Sequence, residues 1–407
     1  MERRGFIRNA ALAGTAALLP ANTLLEAKSL SPLTKTRDSH PVPISKVNKP
    51  LAIAMWDFSW ILRHHKYGDF EDWDRVLEGL AERGYNAIRM DAMPQFVASS
   101  KEGKIMEEFR SPKKDWVPAL WGNDYAMDFR PREALLEFLP KCKKYGIQVG
   151  LASWFLPHGT GIDIINEEGG LQRAWMETLD FLNAHNLLDD NIIYVDLLNE
   201  YPDCNGYDWI KKEMNLRSDA IMKTKFYNDL ANNMIASLKQ KYPKLDYFTS
   251  FHTWSGLDTL ELTNYAALDF HVWFHHNSII GGKIGAAANT GIDRDIRVDY
   301  ANLMSCWKEN KMQLVGWIDG MITSIAKKAA DNGIVCGNTE GWGPIGWFDH
   351  PDLPWDWVKE AAEICVGLTK KHNEYKFICS SNFTHPQFKG IWEDVKWHRK
   401  ITQIIKS

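Results

Sequence analysis

The feature that most restricts this chain is an alternation. From residue 51 onward, short apolar or β-branched runs are followed by segments with apolar residues at helical spacing, and the pair recurs. "LAIAMWDFSW" (51–60) reads as a strand, and "DWDRVLEGLAERGY" (72–85) as a helix ending at Gly84. "NAIRMDAMP" (86–94) is the second strand, stopped by Pro94. "REALLEFLPKCKKYG" then leads to the third strand, "IQVGLASWF", and "LQRAWMETLDFLNAHNLL" to the fourth, "NIIYVDLLNE". "KFYNDLANNMIASLKQKYP" leads to the fifth, "LDYFTSFHTW", and a short helix over "TLELTNYA" (259–266) to the sixth, "ALDFHVWFHH". A long helix over roughly 299–332 precedes the seventh strand, "GIVCGNTEGW". "PWDWVKEAAEICVGLTKKHN" precedes the eighth, "YKFICSSNF", and "WEDVKWHRKITQIIK" closes the chain.

Strict strand–helix alternation implies a parallel sheet, and eight units are the number that closes a barrel. A doubly wound open sheet is the rival, but no Gly-rich dinucleotide turn follows the first strand. The expectation is an α/β fold, a (β/α)8 TIM barrel over residues 51–407, as a single domain with long βα loops at 94–130, 201–223 and 276–298. Such a barrel is within reach of one domain in a chain of 407 residues.

The N-terminus, "MERRGFIRNAALAGTAALLP", is of a different kind. Arg3, Arg4, Phe6, Ile7 and Arg8 resemble a twin-arginine export signal. The apolar run behind them is too short to span a bilayer. Residues 1–27 are therefore expected to be an export signal and 28–50 a flexible spacer. The resemblance implies a bacterial protein that is periplasmic or extracellular and exported already folded; the alternative is a basic disordered tail. Cys142, Cys204, Cys306, Cys336, Cys365 and Cys379 show no metal-ligand spacing and no disulfide framework. A net charge of −4 argues against nucleic acid as a partner.

Barrel chemistry collects at the C-terminal ends of strands, and polar residues concentrate there in this sequence. The second strand ends with Arg89 and Asp91, the third with Trp154 and then His158, and the fourth with Asn199 and Glu200. The fifth carries His252 and Trp254. On the sixth, Asp269, His271, Trp273 and His275 alternate and so share one face. The seventh ends with Asn338 and Glu340, and the eighth with Ser380, Ser381 and Asn382. Buried polar groups cost desolvation unless partnered, so a collection at one end of the barrel points to a site. Glutamates on strands four and seven supply the two carboxyl groups that glycoside hydrolysis needs. The 18 Trp offer flat surfaces for stacking sugars, although several are expected to fill the core.

With these residues in view, the chain resembles the retaining (β/α)8-barrel glycosidases, nearest to the cellulase-like glycoside hydrolase family 5. In that clan an Asn-Glu pair ends strand four, matched by Asn199-Glu200, and a Glu ends strand seven, matched by Glu340. Arg89 matches an Arg on strand two. His271-Val272-Trp273 matches a His-x-Tyr step only in part, because Trp273 stands where the family has the Tyr that bonds the nucleophile. The resemblance implies a glycoside hydrolase with Glu200 as acid/base and Glu340 as nucleophile. Asn199 would bind the sugar 2-hydroxyl, and Arg89 would keep Glu340 ionised unless it only pairs with Asp91. Glu200 would be held partly protonated by burial and by the charge of Glu340. Further substrate contacts are expected from Asp91, His252, Asp269 and His271. Stacking platforms are expected among Trp56, Trp121, Trp154, Trp254, Trp273 and Trp342. A carbohydrate substrate is the expected partner, with no cofactor and no metal. His64-His65 and His275-His276 invite a metal reading, but adjacent strand residues point to opposite faces. A non-catalytic carbohydrate-binding barrel and a transglycosylase using the same carboxylates stay open as alternatives.

Overall fold

In the computed structural model the strands in this order are β1 (Leu51–Asp57), β2 (Ala87–Asp91), β3 (Gln148–Ala152) and β4 (Ile192–Asp196). β5 (Asp246–Phe248) resumes at Ser250–Phe251, β6 (Ala267–Phe270) at Val272–Trp273, and β7 (Val335–Asn338) at Gly341–Trp342, before β8 (Tyr375–Cys379). The structure describes residues 42–112, 125–189, 191–201, 214–216, 218–252, 254–281, 296–343 and 353–407. The proposed export signal, Trp121, Cys204 and parts of the long loops lie outside them.

Pairing runs in one ladder, from the first half of β5 through β4, β3, β2, β1, β8, β7 and β6 to the second half of β5. Because the fifth strand is interrupted only at Thr249, its two halves join the ladder's ends and make a ring. Every rung of that ring is parallel. β1 and β4 are buried along their whole length. Their near-continuous apolar runs are what strands covered on both faces require. The helices begin where their caps dictate. Asp72 accepts the amide of Arg75 to start Trp73–Glu82, Thr224 that of Tyr227 to start Lys225–Lys241, and Asp394 that of Trp397 to start Val395–Lys406.

Two expectations need correction. "TLELTNYA" is not a helix; a 3-10 turn occupies Trp254–Thr259 and the chain beyond it is irregular. Its amides are claimed from outside, since Asn228 Oδ1 accepts Glu261 N–H and Asn232 Oδ1 accepts Asn264 N–H, both at 2.9 Å. Side-chain partners on the neighbouring helix replace the intrahelical bonds a short helix would have needed. The end of the spacer is not loose either. Ile44 is fully buried, and Ser45 N–H reaches Asp246 Oδ2 at 2.9 Å, so ordered packing begins before residue 51. The described cysteines (Cys142, Cys306, Cys336, Cys365 and Cys379) are free and buried. No helix among the described residues is long and apolar enough to cross a membrane.

The barrel interior is filled by rings. Tyr194 lies 4.9 Å from Phe248 and 5.9 Å from Phe377, centroid to centroid. Two glycines make room for them. A Cβ on Gly150 would stand 1.9 Å from the Tyr194 ring, and one on Gly337 would stand 2.2 Å from the Phe377 ring. Tyr194 precedes Asp196 by two residues on β4, so both face the same side, and the rings form a floor for the charged layer above. Overpacking costs about 1–3 kcal/mol. Gly150→Ala and Gly337→Ala should each destabilise the protein by that amount in urea denaturation. Adding Tyr194→Leu to Gly150→Ala should cost less than the two substitutions summed, because the smaller side chain relieves the clash.

Candidate active site

Arg89 stands at the centre of the mouth and is fully buried. Its Nη1 donates to Asp57 Oδ1 and to Glu340 Oε1, both at 2.5 Å. Its Nη2 donates to Asp196 Oδ2 at 3.3 Å and to Asn199 Oδ1. One guanidinium on β2 thus gathers groups from β1, β4 and the end of β7. The planar fork makes this possible, since a point charge such as a lysine could not hold four acceptors in fixed directions. Arg89 pairs with these groups and not with Asp91.

Two aspartates shape the turns that carry the glutamates. Asp196 accepts both Ser250 N–H (2.9 Å) and Ser250 Oγ–H (2.8 Å). Ser250 Oγ in turn accepts the amide of Glu200 at 3.0 Å, and Ser250 carbonyl the amide of Tyr201 at 3.0 Å. Glu200 is held at φ 51°, a left-handed conformation that a non-glycine residue keeps only under such restraint. Asp269 repeats the device on the next strands. It accepts Thr339 N–H (3.0 Å) and Thr339 Oγ–H (2.5 Å), fixing the residue before Glu340. Gly341 follows because a Cβ there would meet Val272 carbonyl oxygen at 2.7 Å.

His271 joins the two carboxylates. Its Nδ1 lies 2.9 Å from Glu200 Oε1 and 3.8 Å from Glu340 Oε1, and its Nε2 lies 3.2 Å from Thr339 Oγ1. His252 Nδ1 stands 3.5 Å from Glu200 Oε2 on the other side. A donor atom from each of Glu200, His271 and Glu340 lies within 4.8 Å of the others. That set is small enough to hold an ion. However, Arg89 already occupies Glu340 Oε1, and a metal there would face a buried cation at close range.

Charge is heavily unbalanced in this layer, with Asp57, Asp196, Glu200, Asp269 and Glu340 facing Arg89 and His271. Burial raises the Glu340 carboxyl well above its ordinary range, while His271 and Arg89 pull it back. Burial likewise raises Asp57 and Asp196, against the pull of Arg89. Burial lowers His271, but Glu340, Asp269 and Glu200 outweigh it and hold the imidazole protonated well above its usual value.

Of the sequence-derived candidates, Glu200, Glu340, Asn199, Arg89, His271 and His252 come together here. Asp269 is adjacent, with its oxygens engaged by Thr339. Asp91 is not presented to the site. Its oxygens accept Met93 N–H at 2.7 Å and Trp154 N–H at 2.8 Å, and burial pushes its carboxyl up to about 7. Trp56 faces the helix layer, with its ring 5.1 Å from Phe70 and its Nε1 on Thr384 carbonyl. Trp342 is buried with Nε1 on Cys379 carbonyl, so neither indole is an open platform. Trp154 and Trp273 are buried but lie at the mouth; Trp273 packs 5.2 Å from His275, which leaves the strand alternation in a 3-10 turn, Phe274–His276.

Sequence reasoning missed Asp57, Asp196, Ser250 and Thr339. Asp57 ends β1 as Asp91 ends β2, and that position was its only signal.

A family model described as sugar-binding cellulase-like matches residues 53–406. A candidate glycoside hydrolase from Parabacteroides distasonis is 30% identical, with 88% of this chain aligned to 94% of that one at TM-score 0.76. A glycoside hydrolase family 5 enzyme from Prevotella bryantii, in complex with a xyloglucan tetradecasaccharide, aligns over 91% of this chain and 99% of its own at 11% identity and TM-score 0.53. The cellulose synthase subunit Z of Clostridioides difficile aligns over 88% and 100% at 12% identity and TM-score 0.52. For these last two the likeness is one of fold. No curated protein matches the chain.

Removing one partner from a buried ionic cluster costs about 3–5 kcal/mol. Arg89→Met should destabilise the protein by that order in urea denaturation. Arg89→Lys should recover part of the loss, since it restores the charge without the fork.

Proposed function

The chain belongs to the sugar-binding cellulase-like family, and we propose that it is a glycoside hydrolase that retains configuration, with Glu200 as acid/base and Glu340 as nucleophile. The observation that carries this reading is the approach of the two carboxylates, with oxygens inside the 4.8 Å cluster that also includes His271. Retaining enzymes hold their carboxyl groups about 5–5.5 Å apart, and inverting ones about 6.5–9.5 Å, to admit a water. The short spacing favours direct attack by a carboxylate.

The roles follow from what each atom already touches. Glu340 Oε1 is held by Arg89, while Oε2 has no hydrogen-bond partner among the described residues and is the oxygen left to attack the anomeric carbon. Glu200 gives its proton to the leaving oxygen as the glycosidic bond breaks, leaving a glycosyl ester on Glu340. Glu200, now ionised, takes a proton from water, whose oxygen displaces Glu340 and regenerates both groups. Asn199 Oδ1 accepts from Arg89, so Nδ2, uncommitted among the described residues, is the end that donates to the sugar 2-hydroxyl. The twin-arginine-like residues Arg3 and Arg4 support export of the folded enzyme.

Glu340→Ala and Glu200→Ala, assayed on a panel of aryl glycosides, should each lose at least ~10² in turnover. With azide, Glu340→Ala should release the glycosyl azide of inverted configuration. An active wild type whose turnover survives both substitutions would overturn the assignment. A wild type that binds sugars but cleaves none would favour a barrel that only binds.

The pH profile offers a separate test. Glu340 must be ionised to attack, and its carboxyl is raised, so kcat/KM should fall on the acid side above the ordinary glutamate range. Asp57 adds a negative charge beside Glu340 and shares its guanidinium. Asp57→Asn should therefore lower the Glu340 pKa and move the acid limb toward lower pH. A limb that stays fixed or moves upward would contradict this.

A further inference from the structure

At the end of β8, beyond the carboxylates, lies Asn382. Its side chain is fully buried, and neither Oδ1 nor Nδ2 has a hydrogen-bond partner among the described residues. Asn199 and Asn338 each keep one end bonded, Oδ1 to Arg89 and to Val272 N–H respectively. Asn228 and Asn232 use both ends to fix the segment before β6. Asn382 is held by its backbone instead, with its N–H on Gly341 carbonyl at 2.8 Å, one residue past Glu340. Buried polar groups are almost always partnered, so an amide kept buried with both ends uncommitted is a candidate for reading a ligand.

Its surroundings fit a sugar. A Cβ on Gly343 would stand 3.0 Å from both Asn382 Oδ1 and the six-membered ring of Trp273, so Asn382 and Trp273 flank the same glycine. From Trp273 the wall continues to His275, whose ring lies 5.2 Å away, then to His276 at 4.6 Å and on to His252 at 5.6 Å, whose Nδ1 stands 3.5 Å from Glu200 Oε2. The amide and indole therefore form one corner of the mouth that holds the proposed acid/base. An amide offers one donor and one acceptor side by side, and here it stands beside a buried indole. That combination matches a pyranose presenting two adjacent hydroxyls, each of which can donate and accept.

We infer that Asn382 is a specificity-determining residue that binds a vicinal pair of sugar hydroxyls beside Trp273. The inference rests on the reading of this mouth as a sugar site, though not on its being hydrolytic.

The test measures binding of glucose, mannose, galactose, xylose and their monodeoxy derivatives by calorimetry, with wild type, Asn382→Ala and Gly343→Ala. The sugar that binds wild type best should lose at least about tenfold in affinity in Asn382→Ala, as expected for two hydrogen bonds. Derivatives lacking one hydroxyl of the pair should discriminate less between wild type and Asn382→Ala than the parent sugar does. Gly343→Ala, which crowds the corner while leaving the amide intact, should weaken the same sugar. Melting temperature should not fall in Asn382→Ala, because its side chain makes no hydrogen bond among the described residues. Unchanged affinity, an equal loss for every deoxy derivative, or no sugar binding to wild type would overturn the inference. Parallel aryl-glycoside assays separate the two readings. Binding without cleavage removes the hydrolase and keeps Asn382, and cleavage with unaltered affinity in Asn382→Ala removes Asn382 alone.

Discussion

A single buried guanidinium organises this protein's mouth. Arg89 is out of contact with solvent and is bonded to Asp57, Asp196, Asn199 and Glu340. Burying such a charge is costly, and the carboxylates that compensate it would be equally costly without it. Each group therefore requires the others. This mutual requirement ties together strand ends that are far apart in sequence, and it orients two groups the proposed chemistry uses, Glu340 and the Asn199 amide.

Around that centre the same local solution appears twice. Asp196 holds the N–H and O–H of Ser250, and Asp269 holds those of Thr339. In each case an inward aspartate fixes a hydroxyl residue on the following strand, and that residue sits against one of the two proposed catalytic glutamates. Backbone strain at Glu200 is sustained because Ser250 bonds the amides on either side of the turn. Below, the ring floor of Tyr194, Phe248 and Phe377 fits only because Gly150 and Gly337 lack side chains. A cellulase-like glycosidase fold thus carries a polar layer whose own hydrogen bonds are largely spent on positioning. Among the described residues, Glu340 Oε2, Asn199 Nδ2 and both ends of the Asn382 amide remain uncommitted, as do Asp57 Oδ2, Arg89 Nε and Asn338 Nδ2.

The strands and main helices were legible because their signals are local. Period-3.6 apolar spacing, capping residues and turn residues act within a few positions of one another. The segment 259–266 failed for the converse reason. Its helical pattern was overridden by Asn228 and Asn232, which lie on another element and claim its amides. The indoles failed in the same way, since nothing in the local sequence tells that Trp56 packs against Phe70 and Phe138 while Trp273 lies at the mouth.

By itself, the sequence determined the parallel ring and the strand ends at which Glu200, Glu340, Asn199 and Arg89 stand, because alternation and motif spacing are properties of the chain's order. Only the tertiary structure decided that Asp57 would share Arg89 with Glu340, residues 32 and 251 positions from it. It also decided that Asp91 would turn to the backbone, and that Asp196 and Asp269 would become supports. The physical reason is that a carboxylate's role depends on which donor reaches it first. In a closed barrel that donor comes from a neighbouring strand, whose distance in space bears no relation to its distance along the chain.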